Sequence, residues 1–216
     1  MAHSTVTSRE MTASLQKQFD NVFAQLTDDG LLLLSDADLP SVSGLIANEK
    51  LRGSWWSHKH AQVIFSVAEM LEDHPDVLIM KLISGKVTFV HRALWDRIYA
   101  IGVAREEWQL KRLSSPARAL RDELDHEKVI QTNKRGEITR ELENRLLIHA
   151  EQIHTESGAH AKIIETWPTW AKRAGLRARA KNPATARRFL EQRVMDINNK
   201  HNGNGSLPWL TTIGSK

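Results

Sequence analysis

The sequence predicts an α+β protein that is mostly helical and contains two β-hairpins. Apolar residues recur every three or four positions over much of the 216-residue chain, which is typical of amphipathic helices. Two segments, 77–91 and 146–166, instead place β-forming residues on either side of a Ser-Gly pair, as hairpins do. In both cases a helix is expected before the hairpin, and a tryptophan follows it. The order of elements is therefore expected to repeat.

The first unit is expected over residues 15–113, after a flexible polar arm at residues 1–14. The run Leu31–Leu34 fits either a short strand or a buried helical turn. Helices are predicted wherever apolar residues keep helical spacing. They cover 11–26, the segment from Pro40 to Gly53, 60–73 and 94–113.

The second unit is expected over residues 114–175. Pro116 directly follows two serines, which is typical of the first turn of a helix. A β-like run at 128–132 and a strong helix from Glu137 precede the second hairpin. This unit therefore resembles the first in the order of its elements, without identity between their residues.

Residues 176–216 are expected to form a basic helical tail that ends in a C-terminal peptide. A helix is predicted from about Pro183 to Asn198. The Asn- and Gly-rich residues 202–206 are typical of a flexible tether for the final apolar residues.

The composition limits the cellular locations and the classes of function that are compatible with the sequence. Because the chain has no cysteine, disulfides, thiolate metal sites and thiol nucleophiles are excluded. The N-terminal residues lack a signal-peptide pattern, and the longest apolar run is far shorter than the roughly 18 residues of a membrane span. A cytoplasmic location, no membrane partner and no cofactor are therefore expected. Motifs for nucleotide cradling and for common hydrolases are absent from the sequence.

The stretch around the tail helix is strongly basic. The net charge of the chain is +4, yet residues 172–193 hold eight basic residues and one acid, Glu191. Such a patch suits phosphate backbones, which attract cations whatever the base sequence. The alternative is a solvated helix face with an ordinary excess of arginine. The candidate nucleic-acid-binding residues of this stretch are Arg173, Arg177, Arg179, Arg187 and Arg188.

A second candidate surface combines Trp55 and Trp56 with His58 and Lys59. Adjacent residues point in different directions on a helix or a strand, so one of the two tryptophans is expected near the surface. An exposed aromatic ring can stack on a base while neighbouring cations meet phosphates. The alternative is that both tryptophans anchor a loop to the core.

The first hairpin carries further basic candidates, Lys86, His91 and Arg92. Basic side chains along a hairpin can follow a duplex backbone and fix its register without reading bases. Lysines on a hairpin also serve to protect an exposed strand edge from pairing with other chains.

The candidate catalytic residues are His149, Glu151, His154, Glu156 and His160. Imidazole and carboxylate groups can hold zinc or non-haem iron, but the spacing of His149 and His154 fits neither one helix face nor one strand face. No metal is therefore predicted. A tight turn would bring His154 near His160, and a general acid or base tuned by a glutamate is the catalytic hypothesis. The alternative is a polar hairpin surface.

The strings GSWWSHKHAQVIF, KLISGKVTFVHRALW, EEWQL and HTESGAHAKIIETWPTWAKRAG resemble those of a set of uncharacterised bacterial proteins, over roughly residues 44–175. A helix that leads into a hairpin is the winged-helix arrangement. The element order is similar at the level of the fold to winged-helix DNA-binding and repair proteins of the alkylpurine-glycosylase-like kind. The repeated order of elements suggests two winged-helix-like units packed together, and the resemblance transfers no catalytic residue to this chain.

The predicted function is nucleic-acid binding, to DNA more than to RNA, by a transcription or repair factor. One alternative is a hydrolase or lyase that acts on nucleic acid through the histidine cluster. Another is a protein-interaction module whose C-terminal Leu207-Pro208-Trp209-Leu210 docks on a partner or on a second copy, which allows a homodimer.

Overall fold

The structure is a computed structural model that describes residues 8–132, 136–154, 160–177 and 181–211. Side chains are described throughout these ranges except at residues 8–11, 153, 154, 160 and 211. The described chain is mostly helical and contains two small antiparallel sheets, so the prediction of an α+β protein is confirmed.

The elements alternate between helices and short strands. The α-helices are α1 (Ser8–Asp29), α2 (Val42–Ala47), α3 (Ala61–Glu72), α4 (Trp95–Gly102), α5 (Glu107–Leu110), α6 (Ser115–Glu127), α7 (Gly136–Asn144), α8 (Trp167–Arg173), α9 (Pro183–His201) and α10 (Pro208–Thr211). The strands are β1 (Leu31–Leu33), β2 (Val77–Lys81), β3 (Val87–His91), β4 (Val129–Thr132), β5 (His149–His154) and β6 (His160–Glu165). Single 3-10 turns occur at Trp55–Ser57, Ile83–Gly85 and Arg92–Leu94. In the described part of the chain, no helix is both long enough and apolar enough to cross a membrane.

The first sheet has the strand order β1-β3-β2 and is covered on both faces. Neighbouring residues on a strand point to opposite faces, so the consecutive leucines of β1 need cover on both sides. Leu32 packs in a core cluster with α1, α2 and α3. Leu31 and Leu33 pack in a second cluster with α4 and α9. All three leucines are almost completely buried, and their antiparallel pairing with residues 88–90 of β3 identifies Leu31–Leu33 as a strand.

The second sheet has the equivalent strand order, β4-β6-β5. Its apolar face, which includes Ile130 and Ile164, packs against α6 and α7 in a third core cluster. The backbones of His154 and His160 pair directly across the hairpin, as the sequence predicts. Each three-stranded sheet therefore consists of a hairpin and one strand from earlier in the chain.

Two predicted helices end earlier than their apolar patterns suggest. The helix predicted from Pro40 to Gly53 stops at Ala47, because Asn48 adopts a left-handed conformation with φ of 55°. The helix predicted over 94–113 is divided into α4 and α5. Arg105 has a φ of 50° between these helices, and Glu106 starts α5 with a capping box.

The prediction of a flexible tether at residues 202–206 is wrong. The side-chain amide of Asn198 donates to the carbonyl of Gly205 at 2.9 Å and accepts from its N–H at 2.8 Å. The carbonyl of Ser206 accepts from the N–H of Ser84 at 2.7 Å. Because Leu207 and Trp209 are then buried in the cluster under the first sheet, the tail helix and the residues after it belong to the core.

Trp167 connects the two sheets. Its indole is 2% exposed, and its Nε1 donates to the carbonyl of Leu146 at 2.7 Å, just before β5. The same indole lies directly against Gly102 at the end of α4, where a Cβ atom would overlap it. Glycine is therefore required at position 102 for α4 and α8 to approach each other.

We expect Gly102→Ala to lower the free energy of unfolding by about 1–3 kcal/mol, because the added methyl group overpacks the Trp167 contact. Gly136→Ala is the matched control, since a Cβ there meets open space at the start of α7. Urea unfolding followed by circular dichroism measures both variants. Equal midpoints for Gly102→Ala and the wild type would contradict the expectation, whereas Gly136→Ala is expected to lose no stability.

Candidate functional site

Two of the candidate catalytic residues, His149 and Glu151, belong to a network of charged groups on the second sheet. Nδ1 of His149 lies 3.0 Å from Oε1 of Glu165, which is its direct partner across the strands. Arg173 from α8 donates to the same oxygen from Nε at 3.2 Å and from Nη2 at 2.5 Å. Nη2 of Arg173 also donates to Glu151 at 3.1 Å. The network joins β5, β6 and α8.

The carboxylate of Glu165 is the centre of this network. Burial by itself raises the pKa of Glu165, but the hydrogen bonds from His149 and Arg173 outweigh it, and the pKa lies below its usual value of 4.5. The hydrogen bond to Glu165 in turn raises the pKa of Arg173. Glu165 is therefore ionised at neutral pH, although its side chain is 3% exposed.

The surroundings of His149 favour a structural role over a catalytic one. Its ring is 5% exposed and lies against Trp167 and Trp170, with centroid distances of 6.0 and 5.8 Å. A general acid or base must reach its substrate, and this imidazole is enclosed. Glu156 lies outside the described residues, as do the side chains of His154 and His160, so their catalytic role stays a prediction. Among the described residues, no group of three His, Asp or Glu side chains is arranged to hold a metal ion.

The tryptophan loop places one ring inside and one outside, as the sequence predicts. Trp55 is 8% exposed and Trp56 is 62% exposed, and their rings stack with a centroid distance of 3.9 Å. Trp56 also lies 5.7 Å from the ring of Phe65 on α3. Nε2 of His58 is 3.0 Å from Glu49, and Lys59 is exposed. The outer surface of this loop is thus aromatic as well as basic.

Several of the predicted nucleic-acid-binding cations have acidic neighbours within the protein. The ion pairs are Lys86 with Asp36 at 2.6 Å, Arg92 with Asp76 at 3.6 Å, Arg187 with Glu106 at 3.2 Å, and Arg173 with Glu165 and Glu151. His91 is half-buried and accepts from the N–H of Ala93 at 3.4 Å. The positive charge of these lysine and arginine groups is therefore partly neutralised by carboxylates of the protein itself.

Other basic residues of the tail keep their charge uncompensated. Arg177 and Arg188 are exposed, and within the described ranges neither lies within 4.0 Å of a carboxylate. Arg193 is half-buried and also has no carboxylate within 4.0 Å in these ranges, and its guanidinium lies 5.9 Å from the ring centroid of Phe189. Arg179 lies outside the described residues.

Arg97 of α4 is a further basic residue beside α9. The sequence patterns described above do not indicate it. Its guanidinium lies 3.7 Å from the centroid of Phe189 and donates to the carbonyl of Ala93 at 3.1 Å. Arg92 stacks over Trp95 at 5.0 Å. We call this surface, formed by α4 and α9, the arginine face. It consists of Arg97, Phe189 and Arg193. The signal for it was the spacing of Phe189 and Arg193, which are four residues apart on one helix.

A cleft of about 410 Å³ lies where the first hairpin, the end of α7 and the C-terminal residues meet. We call it the junction cleft. Its lining includes Lys81, Ser84, Trp108, Arg145 and Ser206. Local sequence patterns contain no signal for it, because these residues come from four separate segments of the chain.

The C-terminal residues that the interaction hypothesis assigns to a partner are largely occupied by the chain itself. Leu207 and Trp209 are 0% and 5% exposed, and Nε1 of Trp209 donates to Glu191 at 2.6 Å. Leu210 remains exposed. These contacts leave little of the peptide for a partner or for a second copy.

Comparison of the chain with protein-family models, with curated proteins and with solved structures gave no match.

We expect Arg173→Met to lower the free energy of unfolding by about 2 kcal/mol. Removing one member of a fully buried ion pair lowers the free energy of unfolding by more than this. The expected loss is smaller here because half of the Arg173 side chain is exposed to solvent. Arg177→Met, which removes an exposed arginine of the same segment, is expected to change stability by less than about 0.5 kcal/mol. Denaturant unfolding at pH 7 compares the two, and equal losses would contradict the role assigned to the network.

The stabilisation by Arg173 is expected to depend on pH. Because the folded-state pKa of Glu165 is lowered, its pairing stabilises the protein fully above the usual carboxyl pKa and is lost as the pH falls through the lowered value. The difference in unfolding free energy between the wild type and Arg173→Met should therefore shrink between about pH 5 and pH 2. A difference that stays constant over this range would show that Glu165 is not the partner that matters.

Proposed function

We propose that the protein binds nucleic acid, DNA more than RNA, and acts as a transcription or repair factor. The arginine face supplies contacts to the phosphate backbone. Two winged-helix-like units form the framework that holds this face. The guanidinium groups of Arg97 and Arg193 both lie near the ring of Phe189, and in the described ranges no carboxylate is within 4.0 Å of either; this is the observation that carries the proposal.

The order and pairing of the elements support the winged-helix interpretation of the framework. In the first sheet, β1 follows α1, two helices come next, and the hairpin then pairs with β1 through β3. The second sheet repeats this arrangement with α6, β4, α7 and the hairpin of β5 and β6. In the described part of this unit, α7 is the one helix between the first strand and the hairpin. Fold-level similarity of this kind supports a framework and does not by itself assign a function.

The surface charges favour the arginine face over the exposed side of α3 as the contact with nucleic acid. In helix-turn-helix proteins the second helix of the motif enters the major groove, and α3 holds that position here. Yet the exposed residues of α3 include Phe65, Glu69 and Glu72, so its outer side is acidic and apolar. The tip of the first hairpin is also unsuitable for this contact, because Ser84 forms hydrogen bonds with Ser206. The proposal therefore assigns phosphate contacts to α4 and α9.

The arginine face combines positive charge with fixed geometry. Arg97 is held by the carbonyl of Ala93 and by the ring of Phe189, so little side-chain entropy remains to be lost on binding. Arg188 and Arg193 extend the charge along α9, and no carboxylate in the described ranges lies within 4.0 Å of either. Guanidinium groups bind phosphate oxygens with two parallel hydrogen bonds, which suits such a surface to a nucleic-acid backbone.

We expect the double variant Arg97→Met/Arg193→Met to bind a fluorescein-labelled DNA duplex about tenfold more weakly at low salt. Each lost phosphate contact reduces the slope of log K against log salt concentration by about 0.9, so the slope should fall by about 2. Fluorescence anisotropy at several salt concentrations measures both quantities.

The matched control is Arg118→Met/Arg140→Met, which removes two exposed arginines from α6 and α7 and therefore the same net charge. We expect it to weaken binding less than about twofold. An equal loss in both double variants would assign the effect to net charge alone. If wild-type protein shows no binding to the duplex at low salt, the proposed function is wrong.

A further inference from the structure

We propose that the junction cleft binds a nucleoside monophosphate, with its phosphate at Lys81 and Arg145 and its base against Trp108. This site goes beyond the proposed nucleic-acid binding and does not depend on it, because it uses other residues than the arginine face. Three features of the cleft support it: an excess of positive charge, a fixed guanidinium and a fixed aromatic ring.

The excess charge arises because two lysines share one carboxylate. Nζ of Lys81 lies 3.4 Å from Oε2 of Glu143, and Lys162 binds the other oxygen of the same carboxylate. The Glu143 side chain is 9% exposed. One buried carboxylate cannot neutralise two ammonium groups, so a positive charge remains at this edge of the cleft. Lys81 is the lysine that lines it.

Arg145 brings a second cation to the cleft in a fixed position. Its Nη1 donates to the carbonyls of Trp108 at 2.9 Å, Gln109 at 3.4 Å and Lys111 at 2.7 Å. These acceptors are neutral, and within the described residues no carboxylate lies within 4.0 Å of Arg145; the nearby carboxylate of Glu141, whose pKa Arg145 helps to lower, interacts with it only at longer range. The guanidinium thus keeps its charge while its orientation is set by the backbone. A fixed guanidinium beside an ammonium group is a suitable site for a phosphate.

Trp108 supplies a planar apolar surface beside these cations. Its Nε1 donates to Glu106 at 2.9 Å, and its ring contacts Trp209 with a centroid distance of 5.6 Å. The half-buried ring is therefore held in place before any ligand binds, and it lines the cleft. Aromatic rings stack on the planar face of a base whatever its sequence.

The size and remaining polar groups of the cleft agree with a ligand of this class. Its volume of about 410 Å³ lies within the roughly 300–1,000 Å³ of small-molecule sites. Ser84, Asn144 and Ser206 also line it and offer hydroxyl and amide groups to a sugar or a base edge. A base, a ribose and one phosphate match this combination better than an apolar ligand does.

Isothermal titration calorimetry with adenosine 5′-monophosphate tests the proposal on the full chain. We expect binding that is at least about tenfold tighter than that of adenosine or of inorganic phosphate, because each contains only one of the two recognised parts. Absence of heat with the nucleotide at about 5 mM would overturn the proposal. Equal affinity for phosphate and for the nucleotide would overturn the part assigned to Trp108.

Two lysine variants separate ligand binding from the structural role of the Glu143 pairs. Lys81→Met and Lys162→Met each remove one ammonium group from the same carboxylate, but only Lys81 lines the cleft. We expect Lys81→Met to weaken nucleotide binding by about tenfold and Lys162→Met by less than about twofold. Equal weakening would contradict a direct contact with Lys81.

The recognised group can be a free nucleotide or the phosphorylated 5′ end of a strand. Titration with a 5′-phosphorylated tetranucleotide distinguishes them. Tighter binding of the tetranucleotide assigns a strand end to the cleft, and tighter binding of the mononucleotide assigns a free ligand. If duplex binding through the arginine face fails while nucleotide binding persists, the proposed function is wrong and this site remains.

Discussion

The arrangement of the two sheets depends on the hydrogen bond from the buried indole of Trp167 to the carbonyl of Leu146. Trp167 begins α8 directly after the second sheet, and Leu146 lies at the turn that leads into that sheet, with φ of 52°. Gln109 donates to the carbonyls of both Arg145 and Leu146, so α5 is tied to the same turn. The indole can enter this position only because residue 102 is a glycine. The contact therefore specifies one relative position of the two sheets.

The basic residues of this protein divide into those that hold the fold together and those that remain available to a partner. Arg173 compensates a buried carboxylate, and Arg187 pairs with Glu106 beside the junction cleft. Arg97 and Arg193 instead contact an aromatic ring, which positions a guanidinium without neutralising it. A count of basic residues in a segment does not separate these two classes, because their difference lies in the partners that the fold brings to them.

Local patterns in the sequence predicted elements better than they predicted contacts. The amphipathic spacing of α3, the serine before Pro116 and the β-forming runs of both hairpins predict elements that the structure contains, while the Ser-Gly pair at 157–158 lies outside the described residues. The pairing of His149 with Glu165 could have been predicted from the sequence. The register that pairs His154 with His160 also pairs His149 with Glu165, five positions further along each strand. The junction cleft was not accessible, since it requires the relative position of segments far apart in the chain. The left-handed conformations at Asn48 and Arg105 were also missed, because hydrophobic spacing carries no information about them.

The residues that cover one face of the first sheet are synthesised late, and this affects how the nascent chain folds. The sheet is complete once residue 91 has been synthesised, but the face that includes Leu31, Leu33 and Val90 packs on residues of α9 and on Leu207. About 100 residues separate these two parts, and a ribosome adds roughly 5–20 residues per second, so this takes about 5–20 s. During that interval Leu94 and the residues of α4 are the members of the cluster that follow directly after the hairpin. An apolar face of the sheet is therefore exposed on the nascent chain for several seconds. During this time the chain depends on protection from aggregation.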